Sequence, residues 1–268
     1  MGKKYVIVTG ATGGLGRSFC FQLVEKNKNL IITATKVERL KALKAEIEAK
    51  YHNIDIICVE CDMSSAESRQ AFFKKLKELN TQIEMLVNNA GYITEGGVCV
   101  VSADSLLQAV RVNCEGTVDL TKFVVDNHKS KNILSILTVY SLAGFDPMPY
   151  LGIYAATKSF ILSFMSALRE EVKDKNIIVS IVTPSGIYTT DAMKEAIASQ
   201  GIGGKLSSHS PEFIAKCALK GVEKKKARII PGGFNRFTKF VSNFASYTGL
   251  AKITGKRWRK SQNKRNMK

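Results

Sequence analysis

The 268-residue chain reads as an α/β protein, a doubly wound parallel sheet of about seven strands with helices on both faces, followed by a basic C-terminal extension. Three observations predict this. Short apolar runs of strand length alternate with longer stretches of helical periodicity, the pattern of consecutive βαβ units. A glycine-rich turn follows the first apolar run and opens the first helix. The length suits one large domain, which can bury its apolar surface without disulfides or a metal.

Residues 5–9 form the first strand, and residues 16–26 a helix with Phe19, Leu23 and Val24 on one face. Residues 30–33 are the second strand, followed by a charged helix over 37–51. Residues 54–61 are the third strand, with a helix over 64–79, and residues 85–88 the fourth. A long helix spans 103–127, the fifth strand 132–138, a second long helix 154–173 and the sixth strand 177–182. A short seventh strand over 227–230 stops at Pro231-Gly232-Gly233. Residues 190–210, with Gly201, Gly203, Gly204 and a serine cluster, are expected to be a mobile lid. The sheet domain is expected to cover residues 1–232 and the extension 233–268.

The formal net charge of +17 is unevenly spread. Residues 1–223 carry 26 Lys and Arg against 23 Asp and Glu, whereas residues 224–268 carry 14 Lys and Arg and no acid. The body is near neutral, so the charge does not describe a nucleic-acid reader. Only Trp258 accompanies the basic end, and no reader motif occurs. In the extension, Phe234, Phe237, Val241 and Phe244 follow helical spacing and are expected to pack on the domain or a second subunit. Residues 252–268 are expected to be a solvated tail, attracted weakly to an anionic membrane surface. No apolar run approaches the roughly 20 residues of a membrane-spanning helix. No secretory signal pattern opens the chain, and Val6 stands where a myristoylation motif needs Ser or Thr. A cytoplasmic protein with peripheral membrane contact is expected. Six cysteines lack a framework spacing, and Cys58-Val-Glu-Cys61 lies in a strand, so reduced thiols are expected. His52, His128 and His209 are far apart, and no metal is expected.

Gly10, Thr12, Gly14, Leu15 and Gly16 lie in the turn between the first strand and helix. Glycines there let the backbone approach a pyrophosphate, and the helix N-terminus supplies N–H groups and positive potential. The second strand ends where an NAD site places an acid. Here stand Thr35 and Lys36, with Arg39 one turn on and Arg17 after the glycine loop. A hydroxyl and cations suit a 2′-phosphate, so NADP(H) is expected rather than NAD(H).

Tyr154 and Lys158 are four residues apart, on one face of a helix. An ammonium beside a phenol favours phenolate and lowers its pKa. Ser141 follows the fifth strand, and Asn89-Ala90-Gly91 the fourth, at the same sheet edge. Asn113 lies in the intervening helix, and Asp62 and Met63 follow the third strand.

In this order the residues resemble the short-chain dehydrogenase/reductase family over roughly residues 3–232. The resemblance implies a Rossmann-type core and a tetrad of Asn113, Ser141, Tyr154 and Lys158. It implies cofactor contacts from the glycine loop, from Asp62 at the adenine and the adjoining Met63, from Asn89, Ala90 and Gly91, and from Tyr154 and Lys158. Ile187 and Thr189 match positions that hold the nicotinamide carboxamide. The chain departs from the family where Ser185 follows Pro184 in place of glycine. The resemblance further implies a small-molecule carbonyl or alcohol substrate and a homodimer or homotetramer. Met148, Tyr150, Leu151, Tyr188, Met193 and Ile197 suggest an apolar substrate, such as a ketone or 3-oxoacyl chain.

Overall fold

A computed structural model describes residues 3–129, 131–189, 191–199 and 201–266. Its seven strands are β1 Lys4–Thr9, β2 Asn29–Ala34, β3 Ile56–Glu60, β4 Gln82–Asn88, β5 Leu134–Val139, β6 Ile177–Val182 and β7 Arg228–Ile229. They form one sheet in the order β3-β2-β1-β4-β5-β6-β7, with every pairing parallel. Both faces are covered, which is why the middle of β1, Tyr5 to Val8, is apolar rather than alternating. Its Val6 and Val8 enter one core, while Tyr5 and Ile7 enter the other.

The first core holds Phe19 and Leu23 of α1 (Gly14–Val24) and Leu40 and Leu43 of α2 (Val37–Glu48). The second holds Phe72 and Leu76 of α3 (Ala66–Glu78), and it continues beneath two later helices described below. Fully burying one such Leu or Phe stabilises the fold by about 1.5–3 kcal/mol. The cysteines are free thiols. Burial pushes Cys61 up to about 11, away from the reactive range of a redox motif.

Four departures from the sequence expectation matter for the site. The helix expected over 103–127 is three pieces: α4 (Ala103–Val110), a π-helical turn (Arg111–Glu115) and α5 (Gly116–Asp126). The described part of the expected mobile lid is helical, as α7 (Asp191–Ser199) and α8 (Gly201–Ser207); Thr190 and Gln200 lie outside the described residues. An unanticipated helix, α9 (Pro211–Glu223), fills the first core beside α1 with Ile214, Ala218 and Leu219. Ser210 caps it, accepting from Phe213 N, and Pro211 opens it. Finally, the extension is two helices, α10 (Gly233–Ser242) and α11 (Tyr247–Asn266), so the stretch expected as a tail is helical as far as Asn266. The Phe stripe of α10 does not pack on the domain: Phe237 is 65% exposed and Phe244 beyond it 78%. Between β5 and β6 runs α6 (Gly152–Glu171), whose Ile161, Met165 and Leu168 complete the second core.

Candidate active site

β1 and β4 are sheet neighbours, yet α1 lies over one face and α5 over the other. The chain therefore parts at the C-terminal ends of these strands, where open α/β sheets bind ligands. A cavity of about 410 Å³ lies there. Of the residues expected to contact a cofactor, Gly10, Thr12, Gly14, Leu15, Gly16, Thr35, Asp62, Met63, Asn89, Ala90 and Gly91 line it. Thr33, Cys61, Tyr92, Gln108 and Val112 line it too, and sequence reasoning missed them.

The glycine loop is held against the end of β4. Asn89 Nδ2 donates to the carbonyls of Thr9 (2.9 Å) and Gly10 (3.1 Å). Thr9 Oγ1 accepts from the backbone N–H groups of Asn89 and Ala90. This packing requires glycine at 16, where a Cβ would strike the Gly10 carbonyl and come within 2.8 Å of Ala11 Cα. No side chain caps the N-terminus of α1, which leaves its first N–H groups for a ligand. The cavity size, the uncapped helix and the glycine cradle together fit a dinucleotide.

The polar rim is less uniform than the sequence suggested. Thr35 lines the cavity, but Lys36 and Arg39 are exposed and do not. Arg17 is engaged by Glu46 at 2.6 Å, and its guanidinium holds that carboxyl below the usual range. Asp62 accepts from the N–H and hydroxyl of Ser64, at 2.9 and 2.7 Å.

The four expected tetrad residues come from three elements; none of them lines this cavity, but a Cβ on Gly91, which does, would lie 3.5 Å from Asn113 Oδ1 and 3.9 Å from Lys158 Nζ. Asn113 occupies the π turn and is 1% exposed. Its side-chain amide pairs with one backbone residue in both directions: Oδ1 accepts from Tyr92 N (2.8 Å) and Nδ2 donates to Tyr92 O (2.9 Å). Nδ2 also donates to Thr157 Oγ1 (3.0 Å), which in turn donates to the Tyr154 carbonyl (2.8 Å). Thr157 is thus the link between Asn113 and the helix that carries Tyr154 and Lys158. Its signal in the sequence is faint, because a helical Thr normally back-bonds to its own helix. Lys158 Nζ donates to the Val139 carbonyl at the end of β5 (3.0 Å). Ser141 follows and caps a 3₁₀ turn (Leu142–Gly144), accepting from Ala143 N.

Burial raises the Tyr154 pKa, and the neighbouring Ser141 hydroxyl pulls the other way. The expected lowering by Lys158 is not seen. Its ammonium stands 5.7 Å from the centre of the Tyr154 ring and is committed to Val139, while burial lowers its own pKa to about 8. Thr189 returns to the glycine loop: a Cβ on Gly14 would meet Thr189 Cγ2 at 2.8 Å. Ile187 is held by a bridge to His209. The Ser185 departure leaves this path intact, since Pro184 O accepts from Leu142 N and Gly186 O from His209 N. Neither Ile187 nor Thr189 lines the glycine-loop cavity, and none of the six apolar residues expected near the substrate does.

The sequence pattern described as short chain dehydrogenase matches residues 4–201. The chain belongs to this family. A very-long-chain 3-oxoacyl-CoA reductase of Neurospora crassa is 33% identical over 199 residues, 72% of this chain and 59% of the relative. An NADP-dependent 3-hydroxy acid dehydrogenase of Schizosaccharomyces pombe is 30% identical over 233 residues, 85% of this chain and 90% of the relative. The match spans only 51% to 60% of the length of the first three curated relatives. A short-chain dehydrogenase from Sphingobium yanoikuyae, solved in complex with NADPH, superposes with a TM-score of 0.76. It covers 90% of this chain and 93% of its own, at 24% identity, and speaks for the fold.

Proposed function

We propose that this chain is an NADP(H)-dependent oxidoreductase acting between a carbonyl and an alcohol, with Tyr154 as general acid/base. The observation that carries the reading is the convergence of Asn113, Ser141, Tyr154 and Lys158 beside a dinucleotide-sized cavity. The cofactor, when bound, supplies the hydride. The Schizosaccharomyces relative supports NADP(H), as does the absence of an acid at Thr35 and Lys36. Gly10, Thr12, Gly14, Leu15 and Gly16 would hold the pyrophosphate, Asp62 and Met63 the adenine, and Ile187 and Thr189 the nicotinamide end.

Ser141 and Tyr154 hydrogen-bond the substrate carbonyl oxygen. A raised pKa keeps the Tyr154 proton in place at neutral pH, ready for the oxygen as negative charge develops there. Lys158 steadies that charge from beneath the ring, and Asn113 fixes Tyr92 and Thr157 around it. The substrate class we favour is a ketone or 3-oxoacyl chain with an apolar body, supported by the relatives' names and by the apolar residues 148, 150, 151, 193 and 197. Leu107 and Phe160, exposed on the contacting helices α4 and α6, offer a face for a homodimer or homotetramer.

A carbonyl panel spanning 3-oxoacyl thioesters, steroids, sugars and small ketones, read by NADPH consumption, tests this. Tyr154→Phe is expected to lower turnover by about 10²–10⁴ while NADPH still binds, more tightly than NADH. Turnover by Tyr154→Phe at the wild-type rate would refute the assignment.

A further inference from the structure

Helix α10 is turned inside out. Its inward side is polar: Asn235 is fully buried and donates to the carbonyls of Ser207 and Pro231, both at 2.9 Å. Thr238, Lys239 and Ser242 follow at helical spacing and are half-buried, with Lys239 Nζ 4.1 Å from the centre of the Phe145 ring. The outward side is apolar. Phe237, Phe240, Val241 and, just past the helix end, Phe244 are 50% to 78% exposed. Ile202 of the contacting α8 and Tyr247 at the start of α11 are exposed as well. An amphipathic helix of a water-surrounded domain shows the reverse arrangement, and apolar patches left outside mark interaction surfaces.

Charge decides what covers this one. Residues 224–268 carry 14 Lys and Arg and no acid. A second copy docking through the same patch would bring this basic surface against itself. An anionic surface with an apolar interior satisfies both properties. We propose that α10 is a bilayer-docking helix. Phe237, Phe240, Val241 and Phe244 enter the boundary between headgroups and acyl chains, and the surrounding Lys and Arg meet anionic headgroups. Docking is peripheral, since no helix among the described residues is long and apolar enough to cross a membrane.

The docking face is joined to the candidate active site. Thr254 of α11 donates to the Pro147 carbonyl at 2.9 Å, and Arg259 Nε donates to the Tyr150 hydroxyl at 3.1 Å. Tyr150 lies four residues before Tyr154. The docking helix is therefore linked, through α11, to the loop before α6. The docking itself does not depend on the reaction proposed above.

The test is sedimentation of the full chain with phosphatidylcholine vesicles, with and without phosphatidylglycerol, across a salt series. The comparison is a chain carrying Phe237→Ser, Phe240→Ser and Phe244→Ser. These side chains are exposed, so thermal melting and NADPH oxidation with a water-soluble ketone are expected to be unchanged. Wild type is expected on the anionic vesicles, and the triple variant to bind about tenfold more weakly or worse at equal salt. In a Trp258→Phe background, which removes the only tryptophan, Phe240→Trp is expected to be quenched by brominated acyl chains. Equal binding by wild type and the triple variant would overturn the proposal, because the basic residues alone would then carry the affinity. So would an unquenched Phe240→Trp, or a wild-type oligomer that the triple variant disperses while neither binds vesicles.

Discussion

Lys158 meets two demands that pull against each other. The proposed reaction needs its ammonium beside the Tyr154 ring, yet the residue is 6% exposed and burial lowers its pKa from 10.5 to about 8. The unfolded chain binds this proton more tightly than the folded one. The resulting cost is fully present below about pH 8, fades as the unfolded lysine deprotonates towards pH 10, and vanishes above that. Lys158→Met removes the buried charge, although it also frees the Val139 carbonyl. The variant is expected to lose turnover and to be more stable than wild type at neutral pH, by about 1–3 kcal/mol. Thermal melts of the ligand-free protein at neutral pH and near pH 10 check this, the gap closing at the higher value. A variant less stable than wild type at neutral pH would show that the Val139 hydrogen bond outweighs the buried charge. At this scale most of the candidate site was legible, because a phenol and an ammonium four residues apart must share a helix face. Thr157 was not, since its role depends on Asn113 and Tyr92, which only tertiary contact brings to it.

The π turn is the element on which the candidate site hinges. Without it, α4 and α5 would be one regular helix, and every side chain after Arg111 would sit at a different angle around the axis. Asn113 is placed so that both ends of its amide meet the Tyr92 backbone. Asn113→Ala leaves the half-buried Tyr92 N–H and carbonyl and the buried Thr157 hydroxyl without these partners. It is expected to cost about 2–4 kcal/mol of stability and to shift the pH profile of turnover, because Thr157 and the Lys158 surroundings relax. Asn113→Asp keeps the acceptor for Tyr92 N and should recover part of the stability. A pH profile identical to wild type in Asn113→Ala would reduce Asn113 to a structural residue. Periodicity could announce a long helix over 103–127 but not its π turn, since one extra residue per turn leaves no mark on a short apolar pattern. The same limit explains α10. Its Phe spacing identified a face correctly, but spacing says nothing about whether protein or something else covers it. The α9 helix was overlooked although its Ser210-Pro211 start is a legible cap and first-turn pair.

For the molecule as a whole, the order of strands and helices was legible because each βαβ unit must cover its own part of the sheet. The segment between β6 and α9 was harder to read, since its glycines and serines resemble a loop while its contacts make helices. Gly201 has a φ of +71°, so α7 and α8 meet at a joint that other residues would strain. The segment is anchored at both ends: Ile187 pairs with His209, and Thr189 lies against Gly14 of the glycine loop. Ile197 of α7 is 3% exposed, and α11 touches α7 from outside. A helical flap fixed at its base and jointed in the middle is suited to close over a bound dinucleotide and exclude water. Hydrogen exchange tests this across the described residues 191–199 and 201–210. Exchange there is expected to slow when NADPH and a carbonyl substrate bind together, and to slow less with NADPH alone, because Met193, half-buried on α7, would gain contacts only with substrate. Strand amides in β1 and β4 supply the internal control, since they are already buried in the sheet. Exchange that is identical in the free protein and the ternary complex would mean that α7 and α8 are a fixed wall, with the substrate entering by another route.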